Sequence, residues 1–174
     1  MNETIKTLIE RRSCRSYESK QITDEQLDTI LEAGTYAPTG MGQQSPYIVS
    51  IQDPELLATV EKLNAAVMGQ AQAHPFYGAP TVLVVFADPT LPYGISDANL
   101  VMGNLVNAAH AVGVDSCYIW RAKESFESEE GKALKAKFGI PEKYEGAGNI
   151  ILGYATPGSI PPAPARKADY IKKF

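Results

Sequence analysis

Apolar positions in this chain follow two spacings that alternate irregularly along it: a return every three or four residues, and short runs that are continuous or alternating. Ile5, Leu8 and Ile9 fall on one face of a first helix, with Asn2 or Thr4 placed to cap it. Thr23-Asp24-Glu25-Gln26 reads as a capping box that opens a second helix, with Leu27, Ile30 and Leu31 inward and Gly34 at its end. Asp53-Pro54 places a cap before a proline at the first helical position, and Leu56, Leu57, Val60, Leu63 and Val67 carry that helix to about Met68. Ser96 is expected to cap a long helix ending at Gly113. Its Ala98, Gly103, Ala108, Ala109 and Ala111 would let another helix approach closely. A short basic helix is expected over 128–138, stopped by Gly139 and Pro141.

The strand signals lie between these. Tyr47 to Gln52 alternates like a half-buried strand. Thr81-Val82-Leu83-Val84-Val85-Phe86-Ala87 is unbroken and β-branched, as a central strand covered on both faces requires. Val114 to Trp120 and Ala147 to Ala155 are two more. Residues 35–46 form a Gly/Pro/Thr/Gln loop too long for a mere turn, and 69–80 are irregular. Pro161, Pro162 and Pro164 cannot supply ladder donors, so the stretch after Pro157 should run extended over a surface. Tyr170, Ile171 and Phe174 are apolar anchors that a free tail would not use. The pattern predicts one α+β domain with a sheet sandwiched between helices.

Composition narrows the function. The chain of 174 residues suffices for one domain with a substantial core. A net charge of −4 argues against a general nucleic-acid binder. No apolar run approaches the ~20 residues that a membrane helix needs. The start, Met1-Asn2-Glu3-Thr4, lacks a basic segment followed by an apolar one, so no secretory signal is expected. Cys14 and Cys117 lie far apart in no metal-type spacing, which predicts reduced thiols and a cytoplasmic setting.

Against that acidic background stands Arg11-Arg12-Ser13-Cys14-Arg15. Guanidinium forks suit phosphates and other oxygen-rich anions, with Ser13 adding a hydroxyl, but basic side chains also answer the negative end of a helix. No nucleophile elbow, zinc-protease helix or phosphate-cradling glycine loop is visible. His74 and His110 have no recognisable partner group. Gly40-Met41-Gly42 does not follow a strand, which rules against a dinucleotide fingerprint.

Four fragments in order carry a resemblance: Arg11-Arg12-Ser13-Cys14-Arg15; Ala37-Pro38-Thr39-Gly40-Met41-Gly42-Gln43-Gln44-Ser45-Pro46; Gly113-Val114-Asp115-Ser116-Cys117-Tyr118-Ile119; and Asn149 to Tyr154 followed by a proline-rich link to Arg166-Lys167. Over nearly its full length the chain resembles the FMN-dependent nitroreductases. The resemblance implies a three-layer helix/sheet/helix sandwich with a mainly antiparallel central sheet. Residues 1–160 would form a single FMN-binding domain, with 161–174 a C-terminal extension exchanged in a homodimer. Charge and hydropathy, as above, lead to the expectation of no nucleic-acid or membrane partner. FMN would lie at the subunit interface. A hydride from NADH or NADPH would pass through flavin N5 to a small-molecule acceptor such as a nitroaromatic or quinone, in two half-reactions.

The same resemblance assigns roles. Arg11 would ligate the FMN phosphate, with Arg166 or Lys167 from the tail, and Arg12 and Ser13 would bind the phosphate or ribityl hydroxyls. Arg15 would sit near the N1 and C2-carbonyl edge and stabilise its charge, with no catalytic side chain needed beyond it. Pro38, Thr39, Gly40 and Gly42, from the other subunit, would line the ring. The backbone of Ile119, Trp120 and Arg121 would pack near N5. Four positions depart from the pattern. Gly42 replaces a usual Asn and Pro46 a common Trp, while Trp120 and Arg121 stand where small residues or Glu-Gly are often found. Trp120 is either an aromatic lid or a strand-end residue half buried in the core. The short chain leaves little room for a helical lid, which implies an open pocket. The same residues also serve a flavin storage or sensor protein without turnover, or a same-fold enzyme doing other reductive work. A phosphate-binding module without flavin is a further reading.

Overall fold

Every residue of strand β2 (Thr81–Ala87) is buried, and the molecule is layered around it. The computed structural model describes residues 1–174. β2 pairs antiparallel with β1 (Tyr47–Ile51) on one side and β4 (Glu145–Gly153) on the other, and β3 (Asp115–Ile119) pairs antiparallel outside β4. The sheet order is β1-β2-β4-β3. Side-chain alternation along β2 builds two cores. Leu83, Val85 and Ala87 face Leu27 and Ile30 of α2 (Asp24–Thr35) and Val101 and Leu105 of α4 (Gly94–Ala111). Val82, Val84 and Phe86 face Val60 of α3 (Pro54–Val67) and Phe126 of α5 (Ala122–Glu127). The rings of Phe86 and Phe126 meet edge-on at 4.9 Å. The α+β, three-layer, antiparallel arrangement expected from the sequence is thus the one observed.

Local signals set most helix starts. Asn2 Oδ1 accepts from Ile5 N at 3.0 Å to open α1 (Glu3–Glu10). The Thr23/Gln26 box closes in both directions, at 3.2 and 3.1 Å. Asp53 Oδ1 accepts from Leu56 N at 2.8 Å, with Pro54 leading α3. Ser128 Oγ accepts from Gly131 N at 3.1 Å at the start of α6 (Glu129–Lys137).

Tertiary packing overrides the sequence reading elsewhere. α4 begins at Gly94, two residues before the expected Ser96 cap, and has no side-chain cap at all. Gly94 lies so close to the Asp88 carbonyl that a Cβ there would stand 1.9 Å from that oxygen. Gly34 does not end α2. It sits inside the helix, where a Cβ would come within 2.6 Å of Leu105 and 3.1 Å of Ile48, so its role is the close approach of α2 to α4. Residues 122–127 form α5, too short to show a helical period in sequence. β4 starts at Glu145, two residues before Ala147, and β3 ends at Ile119, leaving Trp120 outside. The shared apolar face of α1 stays largely uncovered, for Ile5, Leu8 and Ile9 are all exposed. No helix is long and apolar enough to cross a membrane.

Asp88 anchors the turn between β2 and α4. Its carboxylate accepts from Thr90 Oγ1 at 2.6 Å and Thr90 N at 3.0 Å and pairs with the Lys143 ammonium. Lys143 and then Thr90 hold the Asp88 carboxyl below its ordinary pKa. A carboxylate whose pKa is depressed on folding stabilises the protein above its unfolded value, about 3.9, and loses that contribution as pH falls through the folded value. Asp88→Asn should therefore lower stability at neutral pH and flatten its decline below about pH 4, as read by urea unfolding across that range. An unchanged acid limb would count against this pairing.

Candidate functional site

The end of α1 delivers the basic run to the sheet. Arg11 N donates to Thr7 O at 3.1 Å, closing the helix. Arg12 Nη1 donates to the carbonyls of Ile9 and Arg11, each at 2.7 Å. The ordinary helix-end role thus takes one edge of the Arg12 guanidinium. The chain then lies along the outer edge of β3. Ser13 pairs in parallel with Ser116, Cys14 N donates to Ser116 O at 2.9 Å, and Tyr17 pairs antiparallel with Ala155.

Arg11, Arg12, Ser13 and Arg15 meet Arg166 in a cleft of about 800 Å³, with Leu8 and Ile9 on one wall and Pro161, Pro162 and Pro164 on another. Four guanidiniums line it and no carboxylate does. None of the chain's arginines forms an ion pair anywhere. Like charges gathered without a counter-charge are repulsive, and an anion in their midst removes that cost. Of Arg166 and Lys167 only Arg166 reaches the cleft, with its Nε and Nη2 donating to Pro164 O at 3.2 and 2.9 Å. Lys167 lies outside and pairs with Asp169 at 3.3 Å.

Beneath the arginines are two buried, unbridged thiols. Cys14 donates to Ser16 O at 3.1 Å and faces inward. Burial pushes the Cys117 thiol up in pKa, against the opposing pull of the Ser13 hydroxyl and the Arg15 and Arg11 charges. Tyr17 donates its hydroxyl to Cys14 O at 3.1 Å, and burial drives its ionisation far above the ordinary tyrosine range. Nothing in this layer offers an exposed nucleophile.

Ile119, Trp120 and Arg121 leave the other end of β3. Counted along the strand, Trp120 is four residues from Ser116, or about 13 Å. Arg121 is left-handed, with φ of 78°, the conformation that a glycine adopts most easily. Two buried asparagines hold the segment from behind. Asn149 Nδ2 donates to Ile119 O at 3.2 Å, and Asn64 Nδ2 donates to Trp120 O at 2.7 Å. Asn64 Oδ1 also accepts from Arg121 Nε at 3.1 Å. The Trp120 side chain is 62% exposed, so it is not the half-buried core residue of one sequence reading. Neither asparagine was marked by sequence reasoning. The only signal was a polar residue on an otherwise apolar helix or strand face.

Pro38, Thr39, Gly40 and Gly42 lie in the loop after α2 and line no part of the arginine cleft. Gly40 N donates to buried Asp97 Oδ1 at 2.9 Å, and Gly40 lies against the Tyr93 ring, where a Cβ would come within 2.4 Å. Met41 and Gly42 have φ of 55° and 67°, which turns the Met41 side chain out into solvent. Asp97 is a further loop-holding residue that the sequence did not reveal.

Residues 8–154 match the nitroreductase family. The chain belongs to that family. It is 33% identical over 159 residues to an Archaeoglobus fulgidus protein provisionally named an NADH dehydrogenase/NAD(P)H nitroreductase, covering 88% of this chain and 86% of that one. A Bacteroides fragilis nitroreductase crystallised with bound FMN shares 28% identity, with a TM-score of 0.90 and full coverage of both chains. An FMN-bound Desulfitobacterium hafniense nitroreductase shares 28% identity over 100% of this chain and 99% of its own, with a TM-score of 0.88. The nitroreductase frame therefore extends over the whole chain, proline-rich tail included.

Proposed function

We propose that this protein is an FMN-dependent oxidoreductase that takes a hydride from NADH or NADPH and delivers it to an oxidised acceptor, a nitroaromatic or a quinone, as a homodimer. The observation that carries this reading is the carboxylate-free cleft in which Arg11, Arg12, Arg15 and Arg166 converge. Its volume falls in the range of small-molecule sites, roughly 300–1,000 Å³. The donor set fits a phosphate, because planar guanidinium forks form charge-assisted pairs with its oxygens. The cleft and the 119–121 segment lie toward opposite ends of β3, which suits a ligand with a dianion at one end and a flat ring at the other.

FMN bound there supplies reversible two-electron hydride chemistry. Arg11 and Arg166 hold the phosphate. The free edge of Arg12 and the Ser13 hydroxyl serve the phosphate or the ribityl chain. Arg15 meets the negative charge at the pyrimidine edge, and Lys167, tied to Asp169, adds its charge from farther off. The 119–121 backbone faces the hydride-accepting edge. Pro38, Thr39, Gly40 and Gly42 line the ring from the partner subunit, where a glycine lets backbone approach closely. Because donor and acceptor use one open face in turn, double-reciprocal plots should be parallel. The exposed apolar side chains of α1 and of Tyr170, Ile171 and Phe174 are the surface that the partner covers. Obligate interfaces of this kind bury more than about 2,000 Å².

The purified protein should show the visible absorbance of oxidised flavin and oxidise NADH or NADPH with menadione or nitrofurazone. A coloured protein inactive with both nicotinamides would be a storage or sensor protein instead. Arg11→Ala should weaken FMN retention by about 1.5–3 kcal/mol, roughly ten- to hundredfold, measured by equilibrium dialysis. Unaltered affinity would mean that Arg11 faces only water.

A further inference from the structure

The peptide groups on either side of Trp120 have an unusual balance. Their carbonyls are bound by the interior and their N–H groups by nothing. Ile119 O accepts from Asn149 and Trp120 O from Asn64, both buried. Neither the N–H of Trp120 nor that of Arg121 donates to any acceptor in the chain. In a trans peptide the C=O and N–H point opposite ways, so pinning each carbonyl inward aims the adjoining N–H outward. Asn64 does more than hold one carbonyl. Its Oδ1 accepts from Arg121 Nε, and that grip helps keep a non-glycine residue at φ of 78°. Outside a glycine such a backbone persists only where its surroundings fix it.

We propose that Asn64 is a positioning residue for the ligand edge. It clamps Trp120 O and the Arg121 guanidinium from α3, so that two consecutive backbone N–H groups are presented, already oriented, to an electron-rich acceptor atom of a bound ring. The inference rests on the proposed flavin reading for the identity of that ring. The clamp itself is a property of the chain. Oriented donors act most strongly where negative charge grows, so they favour the more electron-rich state of the ring. An unclamped segment must be ordered on binding and favours that state less.

The test uses Asn64→Leu, which keeps much of the buried volume and removes both bonds, and Asn64→Asp, which keeps the shape and the Arg121 contact but loses the donor to Trp120 O. Trp120 is the chain's single tryptophan, so its emission reports the segment directly. In flavin-free protein, time-resolved anisotropy should show a more mobile indole in both variants. In the FMN-loaded dimer the reduced cofactor should lose about tenfold more affinity than the oxidised one, which lowers the midpoint potential by about 30 mV for a two-electron couple. If Asn64 only fills space, Asn64→Leu will leave both readouts at wild-type values, and the proposal is overturned. Should Asn64→Leu fail to fold, Asn64→Asp decides alone. A wild-type protein that takes up no flavin sinks the proposed function, and the anisotropy then judges the clamp by itself.

Discussion

A chain cut after Ile160 is expected to be monomeric and colourless while remaining folded. The removed segment is exposed throughout, and its hydrogen bonds and ion pair are all local: Arg166 to Pro164, Lys167 to Asp169, and Tyr170 N to Lys167 O. It therefore contributes little to the stability of its own subunit. It does contribute one wall of the arginine cleft and one of its four guanidiniums. Losing that charge-assisted contact should cost about 1.5–3 kcal/mol of cofactor binding. Losing Tyr170, Ile171 and Phe174 removes apolar area from the proposed interface as well. Light scattering and the visible spectrum read the two effects, and thermal unfolding of the flavin-free chain serves as the control. A truncated protein that stays dimeric and yellow would refute the part given to the extension in both the interface and the cleft.

Gly94→Ala is expected to be among the most damaging single-methyl changes in the chain. The added Cβ would lie 1.9 Å from the Asp88 carbonyl oxygen, inside any tolerable contact. Neither side can easily give way. Asp88 is fixed by Thr90 and Lys143, and α4 carries Ala98, Val101, Met102, Leu105 and Ala109 into one of the two cores. A loss of about 3 kcal/mol or more is the expectation for such overpacking against rigid backbone. Gly103 on the same helix is the internal comparison, because nothing lies within 4 Å of its added Cβ. There alanine should stabilise the subunit by up to about 1 kcal/mol through helix propensity. Urea unfolding of the two variants should move in opposite directions, and equal effects would refute the packing argument.

The sequence made legible what is decided within a few residues. The Thr23/Gln26 box, the Asp53-Pro54 start of α3 and the apolar run of β2 are local facts, and each formed as read. Positions whose conformation is set from a distance were not legible. Gly34 looks like a helix stop until Leu105 arrives against it, and Ser96 looks like a cap until Gly94 packs on Asp88. The left-handed Arg121 is explained by Asn64, which is 57 residues away. The arginine run announced an anion but not its shape. The joining of Arg166 to it was suggested by family resemblance and not by any spacing in the chain. Asn64, Asn149 and Asp97 escaped notice because a single buried amide or carboxylate has meaning only once its distant partner is known.

The pairing of Ser13 and Cys14 with Ser116 has a consequence apart from any ligand. An uncovered strand margin offers its backbone donors and acceptors to any other extended polypeptide, which is how sheets recruit strangers. In this protein the segment that carries the arginines is also what closes that margin of β3. A chain stripped of its first sixteen residues should therefore clump into insoluble material instead of persisting as a soluble, empty subunit.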